Sequence, residues 1–98
     1  MSNTTLINCG IQLIPICEKE SSYKIIDQAI ELIKRKPHKS IVTPFETVVE
    51  ASFEEVQQLI NEINEFCNTK EIEFVMNLRL HCSAKEDILM NEKTEKFN

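Results

Sequence analysis

A single glycine, Gly10, occurs in the 98-residue sequence. Loops that cradle phosphate through a closely approaching backbone, of the GxGxxG or GxxxxGK[ST] kind, need several. A nucleotide cofactor held on such a loop is excluded, and no other cofactor is expected. Positive charge is also scarce: 11 lysines and arginines stand against 16 acidic residues, for a net charge of −5. Nucleic-acid binding needs a basic face, so no nucleic-acid partner is expected. The one basic run, Lys34, Arg35, Lys36, His38 and Lys39, reads better as cations at the negative end of a helix. No apolar run reaches the ~18 residues of a membrane span, so no membrane partner is expected. The N-terminal MSNTTLINCG has no basic segment followed by an apolar stretch and a small-residue cleavage site, which points to a cytoplasmic protein. Cys9, Cys17, Cys67 and Cys82 are scattered, with no CxxC and no Cys/His pair at ligand spacing. His81 and Cys82 are adjacent and would face opposite ways on a strand. The cysteines read as reduced thiols filling apolar positions, and no metal site is expected.

The length suits one domain, residues 1–98, with a core over about 5–82 and a polar tail over 83–98. Hydrophobic residues make up 42% and charged residues 28%, an ordinary globular balance. The organising stretch is 41–55, IVTPFETVVEASFEE. Before it the chain reads as strand then helix; after it, as helix then strand.

Residues 1–4 are polar and expected to fray. Over 5–17 the period of two puts Ile7, Cys9, Ile11, Leu13 and Pro15 on a core face, and Leu6, Asn8, Gly10, Gln12 and Ile14 on the other. Pro15 cannot donate to a ladder, which places that end at an edge or bulge. Ser21 or Ser22 caps a helix running to about Lys36, with Tyr23, Ile26, Ile30 and Ile33 as its stripe, broadened by Ile25, Ala29 and Leu32. Pro37 stops it. Two short strands follow, 40–44 and 45–50, with a tight turn or bulge around Pro44. Phe45, Thr47 and Val49 share one face of the second; Glu46, Val48 and Glu50 share the other. Ser52 and Glu55 form a capping box for a second helix, whose stripe is Val56, Leu59, Ile60, Ile63 and Phe66 and which stops near Asn68. A last strand over 71–82 alternates Ile72, Phe74, Met76, Leu78, Leu80 and Cys82 against Glu73, Val75, Asn77, Arg79 and His81. In the tail, Ile88, Leu89 and Met90 either dock on the domain or belong to an irregular arm.

The order β-α-β-β-α-β predicts an α+β, ferredoxin-like sandwich: a four-stranded antiparallel sheet with two helices on one face. The first and last strands are not expected to be neighbours in it. The uncovered face would carry Asn8, Gln12, Asn77, Arg79 and His81 among apolar residues. A face of that mixture suits an oligomer interface or a ligand floor better than plain water, and pairing of copies is the favoured reading.

At residues 43–56, TPFETVVEASFEEV, the chain resembles the thiamine-binding protein family, with its YkoF-like domains. The TP-x-x-T-x-V-E signature runs directly into an acidic helix start, and the preceding IQLIPI strand is followed by a helix of similar length. The resemblance covers about residues 10–97. Ala51 stands where the family usually carries glycine, and alanine resists backbone conformations that glycine permits. The resemblance implies a dimer or tetramer that binds thiamine or its hydroxymethylpyrimidine moiety without catalysis.

The residue chemistry is compatible. Glu46 or Glu50 can accept from the amine of an aminopyrimidine, while Thr43, Thr47, Gln12 or Asn77 completes its edge. Phe45 offers an aromatic face to a thiazolium cation. Thr47 and Phe45 are equally readable as core, and Glu50 as a partner of the following helix N-terminus. Glu46, the carboxylate within the signature strand, is the first choice. The alternative function is a structural or regulatory oligomer without a small ligand. Enzyme readings are weaker. Acylphosphatase shares the fold outline, but its loop after the first strand is glycine-rich with an arginine, where this chain has CEKESS. The serines lie at helix starts or in the tail, where capping explains them.

Overall fold

The computed structural model describes residues 5–98, so the expected fraying of residues 1–4 lies outside the described residues. Its elements are β1 (Leu6–Ile16), α1 (Lys19–Lys34), β2 (Lys39–Val42), β3 (Thr47–Ser52), α2 (Phe53–Thr69), β4 (Glu73–His81), a short α3 (Met90–Thr94) and a 3-10 turn (Glu95–Phe97). The sheet order is β2-β3-β1-β4, and every pairing is antiparallel. This is the ferredoxin-like arrangement, with α1 and α2 on one face.

Contrary to the expectation for the first and last strands, β1 and β4 are direct neighbours, in register from Asn8↔His81 to Ile16↔Glu73. Each helical crossover skips one strand position, so β1 falls between β3 and β4. The β1–β3 ladder stops at Ile11↔Thr47. Pro15 therefore has β4 on one side and no strand on the other, which is how an 11-residue strand at the sheet centre accommodates a residue without an N–H.

The helix-facing side buries Ile7, Cys9, Ile11, Val49 and Ala51 against Ile25, Ile33, Val56, Leu59, Ile63 and Cys67. Burial raises the Cys9 thiol to about 11, with smaller contributions from Cys82 and Glu46. Ala51 lies inside β3 opposite Ile7, and its backbone is not in the positive-φ region. No glycine is required there.

Three local expectations are corrected. Helix α1 begins at Lys19, with Glu18 rather than a serine at the N-cap, and the Ser21 hydroxyl donates to Glu18 Oε1 over 3.5 Å. Its buried face is centred on Ile25, Ala29 and Ile33, four residues apart, which leaves Tyr23 59% exposed. Phe45 is not on a strand with Thr47 and Val49. The Thr43 hydroxyl accepts the N–H groups of Phe45 and Glu46 at 3.3 and 3.1 Å and donates to the Glu46 carbonyl at 2.7 Å. This local bonding replaces the ladder over 43–46 and closes a hairpin turn. The capping box forms as expected: Ser52 Oγ accepts from Glu55 N–H (3.2 Å), and Glu55 Oε1 accepts from Ser52 N–H (3.0 Å).

Of the two alternatives for the tail, docking holds. Ile88 N–H donates to the Leu6 carbonyl (2.9 Å), Asn8 Nδ2 to the Ile88 carbonyl (2.8 Å), and Leu6 N–H to Asp87 Oδ1 (2.8 Å). Met90 is 4% exposed, so burial extends beyond residue 82.

Candidate functional site

The strand registers set out the uncovered face as rows running across the sheet. One row is Lys39, Glu50, Asn8 and His81; the next is Ile41, Val48, Gly10 and Arg79; a third contains Gln12 and Asn77. Glu46 enters this face from the β2–β3 turn. Gly10 lacks a side chain in the middle row, and the Glu46 carboxylate occupies that space: a Cβ on Gly10 would fall on Glu46 Oε1. Arg79 Nη2 donates to Glu46 Oε2 from the β4 edge. The Glu46 side chain is 18% exposed and that of Arg79 76%, so the carboxylate is sheltered while the guanidinium stays open to solvent.

A cavity of about 340 Å³ lies between this row and the docked tail. That is within the size range of small-molecule sites. Gly10, Val48 and Ile41 form its floor, Thr43 and Glu46 one end, and Met90, Lys93 and Thr94 the wall supplied by α3. Asn8, Arg79, Leu80 and His81 complete it. Polar side chains from the β2–β3 turn, β1, β4 and α3 thus surround an apolar floor.

Two of the residues proposed from sequence, Glu46 and Thr43, line this cavity. Gln12 and Asn77 lie in the adjacent row, where Asn77 Nδ2 donates to Gln12 Oε1 at 3.0 Å, and they share a neighbouring opening with Glu46 and Arg79. Thr47 is 5% exposed and points to the helix side; it lines a second cleft of about 220 Å³ together with Phe45, Pro44 and Ile30, and Gln12, Thr43 and Glu46 border that cleft as well. Phe45 is 78% exposed in the turn. Glu50 is on the uncovered face, but its Oε1 accepts the Met90 N–H at 2.6 Å, and it does not line the cavity.

Sequence reasoning placed Asn8, Arg79 and His81 on this face without assigning them to the site. It missed Lys93 and Thr94 altogether, because the return of the tail is set by scattered hydrogen bonds that leave no periodic signal. Gly10 was legible as a scarce residue and as a member of the face away from the core, but not as part of the site. Its role depends on a carboxylate 36 positions away in the chain.

The chain is similar to several solved structures. A Thermotoga maritima protein provisionally assigned to thiamine biosynthesis or salvage shares 29% identity at a TM-score of 0.88, over 95% of this chain and 99% of that one. A Streptococcus pneumoniae protein shares 25% identity at 0.79, over 93% and 99%. A Bacillus cereus domain of unknown function has a TM-score of 0.88 at 16% identity, over 100% of this chain and 95% of that one, and speaks to the fold alone. No curated protein matches the sequence. The sequence profile described as thiamine-binding protein matches residues 9–98, nearly the whole chain, and the chain belongs to that family.

Proposed function

We propose that this protein binds thiamine, or its hydroxymethylpyrimidine moiety, in the cavity between Glu46 and α3, without catalysing a reaction. The observation that carries this reading is the Glu46 carboxylate: it is sheltered, seated over Gly10, and set at the end of a cavity with an apolar floor. A sheltered carboxylate suits an aminopyrimidine amine as acceptor and a thiazolium as counter-charge. Thr43 stands beside it, and Gln12 and Asn77 offer amide groups one row away. The family match supports the ligand class.

The reading includes a cytoplasmic homodimer or homotetramer. Ile14, Ile16 and Val75 are 41–49% exposed on the uncovered face beyond the cavity, an apolar patch that a second copy would cover. Light scattering of the purified protein tests the assembly.

Calorimetric titration with thiamine and, separately, hydroxymethylpyrimidine tests the site. Saturable binding that Glu46→Gln weakens at least ~10-fold, with the fold and assembly intact, is the expected result. Failure of both ligands to bind would overturn the ligand reading and leave the ligand-free oligomer.

A further inference from the structure

The cavity carries two cations, Arg79 and Lys93, and one carboxylate, Glu46, with His81 on the same lining. This excess runs against a chain whose net charge is −5. The two cations come from different elements. Arg79 is on β4, across from Gly10; Lys93 is on α3, and its ammonium makes no ion pair or hydrogen bond among the described residues. Arg79 engages Glu46 through Nη2. Its other guanidinium donors are not used by any side chain of the lining.

We propose that the site selects a phosphate monoester of the thiamine or pyrimidine alcohol over the free alcohol, with Arg79 and Lys93 holding the phosphate. The proposal rests on the reading of Glu46 given above. A ligand amine or thiazolium that takes the Glu46 carboxylate removes the partner of Arg79. A free alcohol offers the guanidinium nothing of comparable strength in return. A phosphate monoester carries about −1.5 to −2 charges at neutral pH and three acceptor oxygens. It would accept a forked pair of bonds from Arg79 and one from Lys93. For thiamine monophosphate, binding then exchanges one ion pair, Glu46–Arg79, for three: Glu46 with the thiazolium, and Arg79 and Lys93 with the phosphate. A carboxylate and a guanidinium held together before the ligand arrives match a molecule that is itself cationic at one end and anionic at the other.

Calorimetry on the full chain with thiamine and with thiamine monophosphate, at matched ionic strength, tests this. The monophosphate is expected to bind at least ~10-fold more tightly. Arg79→Gln and Lys93→Gln are expected to bring the ratio of the two dissociation constants within each variant towards one. Both side chains are exposed, so both variants should fold, which thermal unfolding would verify. Equal or weaker binding of the monophosphate by the unaltered protein would overturn this inference while leaving the thiamine reading standing. An undiminished ratio in both variants would overturn the assignment of the two cations. Binding of neither molecule would overturn this inference, and the ligand reading with it where hydroxymethylpyrimidine also fails to bind.

Discussion

Gly10 on β1 lies directly beneath the carboxylate of Glu46, and a methyl group in place of its α-hydrogen would occupy the position of Glu46 Oε1. The turn over 43–46 therefore delivers its carboxylate onto the one position of the sheet where no side chain stands in the way. The rest of the row, Val48 and Ile41 on one side and Arg79 on the other, brackets the carboxylate between an apolar floor and a cation.

This relationship separates function from stability at one residue. Gly10→Ala must push the Glu46 carboxylate aside, which is cheap because the displaced group is the end of a flexible side chain. The Gly10 backbone is not in the positive-φ region, so alanine fits the strand, and it lowers the entropy of the unfolded chain. The expected outcome is an unfolding midpoint equal to or above that of the unaltered protein, with thiamine affinity reduced at least ~10-fold. Calorimetry and thermal unfolding of the same preparation check it. Unchanged affinity would detach Glu46 from the ligand.

The capping box of α2 makes acid stability depend on Glu55. Hydrogen bonds from the Ser52 backbone and side chain, with a smaller effect of His38, hold the Glu55 carboxyl below its ordinary value of 4.5. A carboxylate with a lowered folded value contributes stability that is present above the unfolded value and is lost as pH falls through the folded one. Ser52→Ala is expected to cost about 1 kcal/mol at neutral pH. It should also reduce the fall in stability between neutral pH and pH 3. Urea denaturation at several pH values would show a shallower acid limb in the variant; parallel limbs would mean that the Ser52 hydroxyl does not set it and that the backbone N–H of residue 52 alone does.

Glu71 follows α2 with φ 54°, the one positive-φ residue among the described residues. Helices commonly end on a glycine in this conformation, and a side chain there costs about 1–2 kcal/mol. This chain has its only glycine elsewhere. Glu71→Gly is expected to relieve the strain. After the greater entropy of the unfolded glycine is offset, the gain should be roughly 0.5–1 kcal/mol. A rise in the urea midpoint with unchanged slope would show it, whereas a fall would place the strain elsewhere.

Much of the fold was legible because it rests on periodic burial. The alternation in β1 and β4, the capping box at Ser52 and the stripe of α2 each express one rule over several residues. Local chemistry that competes with the pattern was less legible. Phe45 continues the alternation of Thr47 and Val49 on paper, yet the Thr43 hydroxyl captures its N–H and holds it in the turn. Tyr23 matches helical spacing but lies off the face that Ile25, Ala29 and Ile33 bury. The site divides in the same way. Glu46 and Thr43 were visible within a local motif. The joining of Gly10, Arg79 and Lys93 to them depends on strand register and on the return of the tail, which no local window contains.

The tail is held to the sheet at Glu50, and this bears on what that carboxylate does. Its Oε1 accepts the Met90 N–H at 2.6 Å, and Met90 beside it is 4% exposed. A bond from a backbone N–H to a charged acceptor contributes about 1.5–3 kcal/mol. Removing a buried methionine side chain costs roughly 2–5 kcal/mol. Glu50→Ala and Met90→Ala are therefore both expected to lower stability, and each to raise hydrogen exchange and proteolytic cleavage over residues 83–97. Because α3 supplies Met90, Lys93 and Thr94 to the cavity wall, both should also weaken ligand binding indirectly. Glu50→Gln separates the two roles. Its amide oxygen can still accept the Met90 N–H, so the tail should stay docked and thiamine affinity should change by less than ~3-fold, whereas Glu46→Gln loses at least ~10-fold. Protease protection of the tail, measured beside the affinities of Glu50→Gln and Glu46→Gln, would show whether the two carboxylates of the signature serve different ends. A large loss of affinity in Glu50→Gln with the tail still protected would return Glu50 to the ligand.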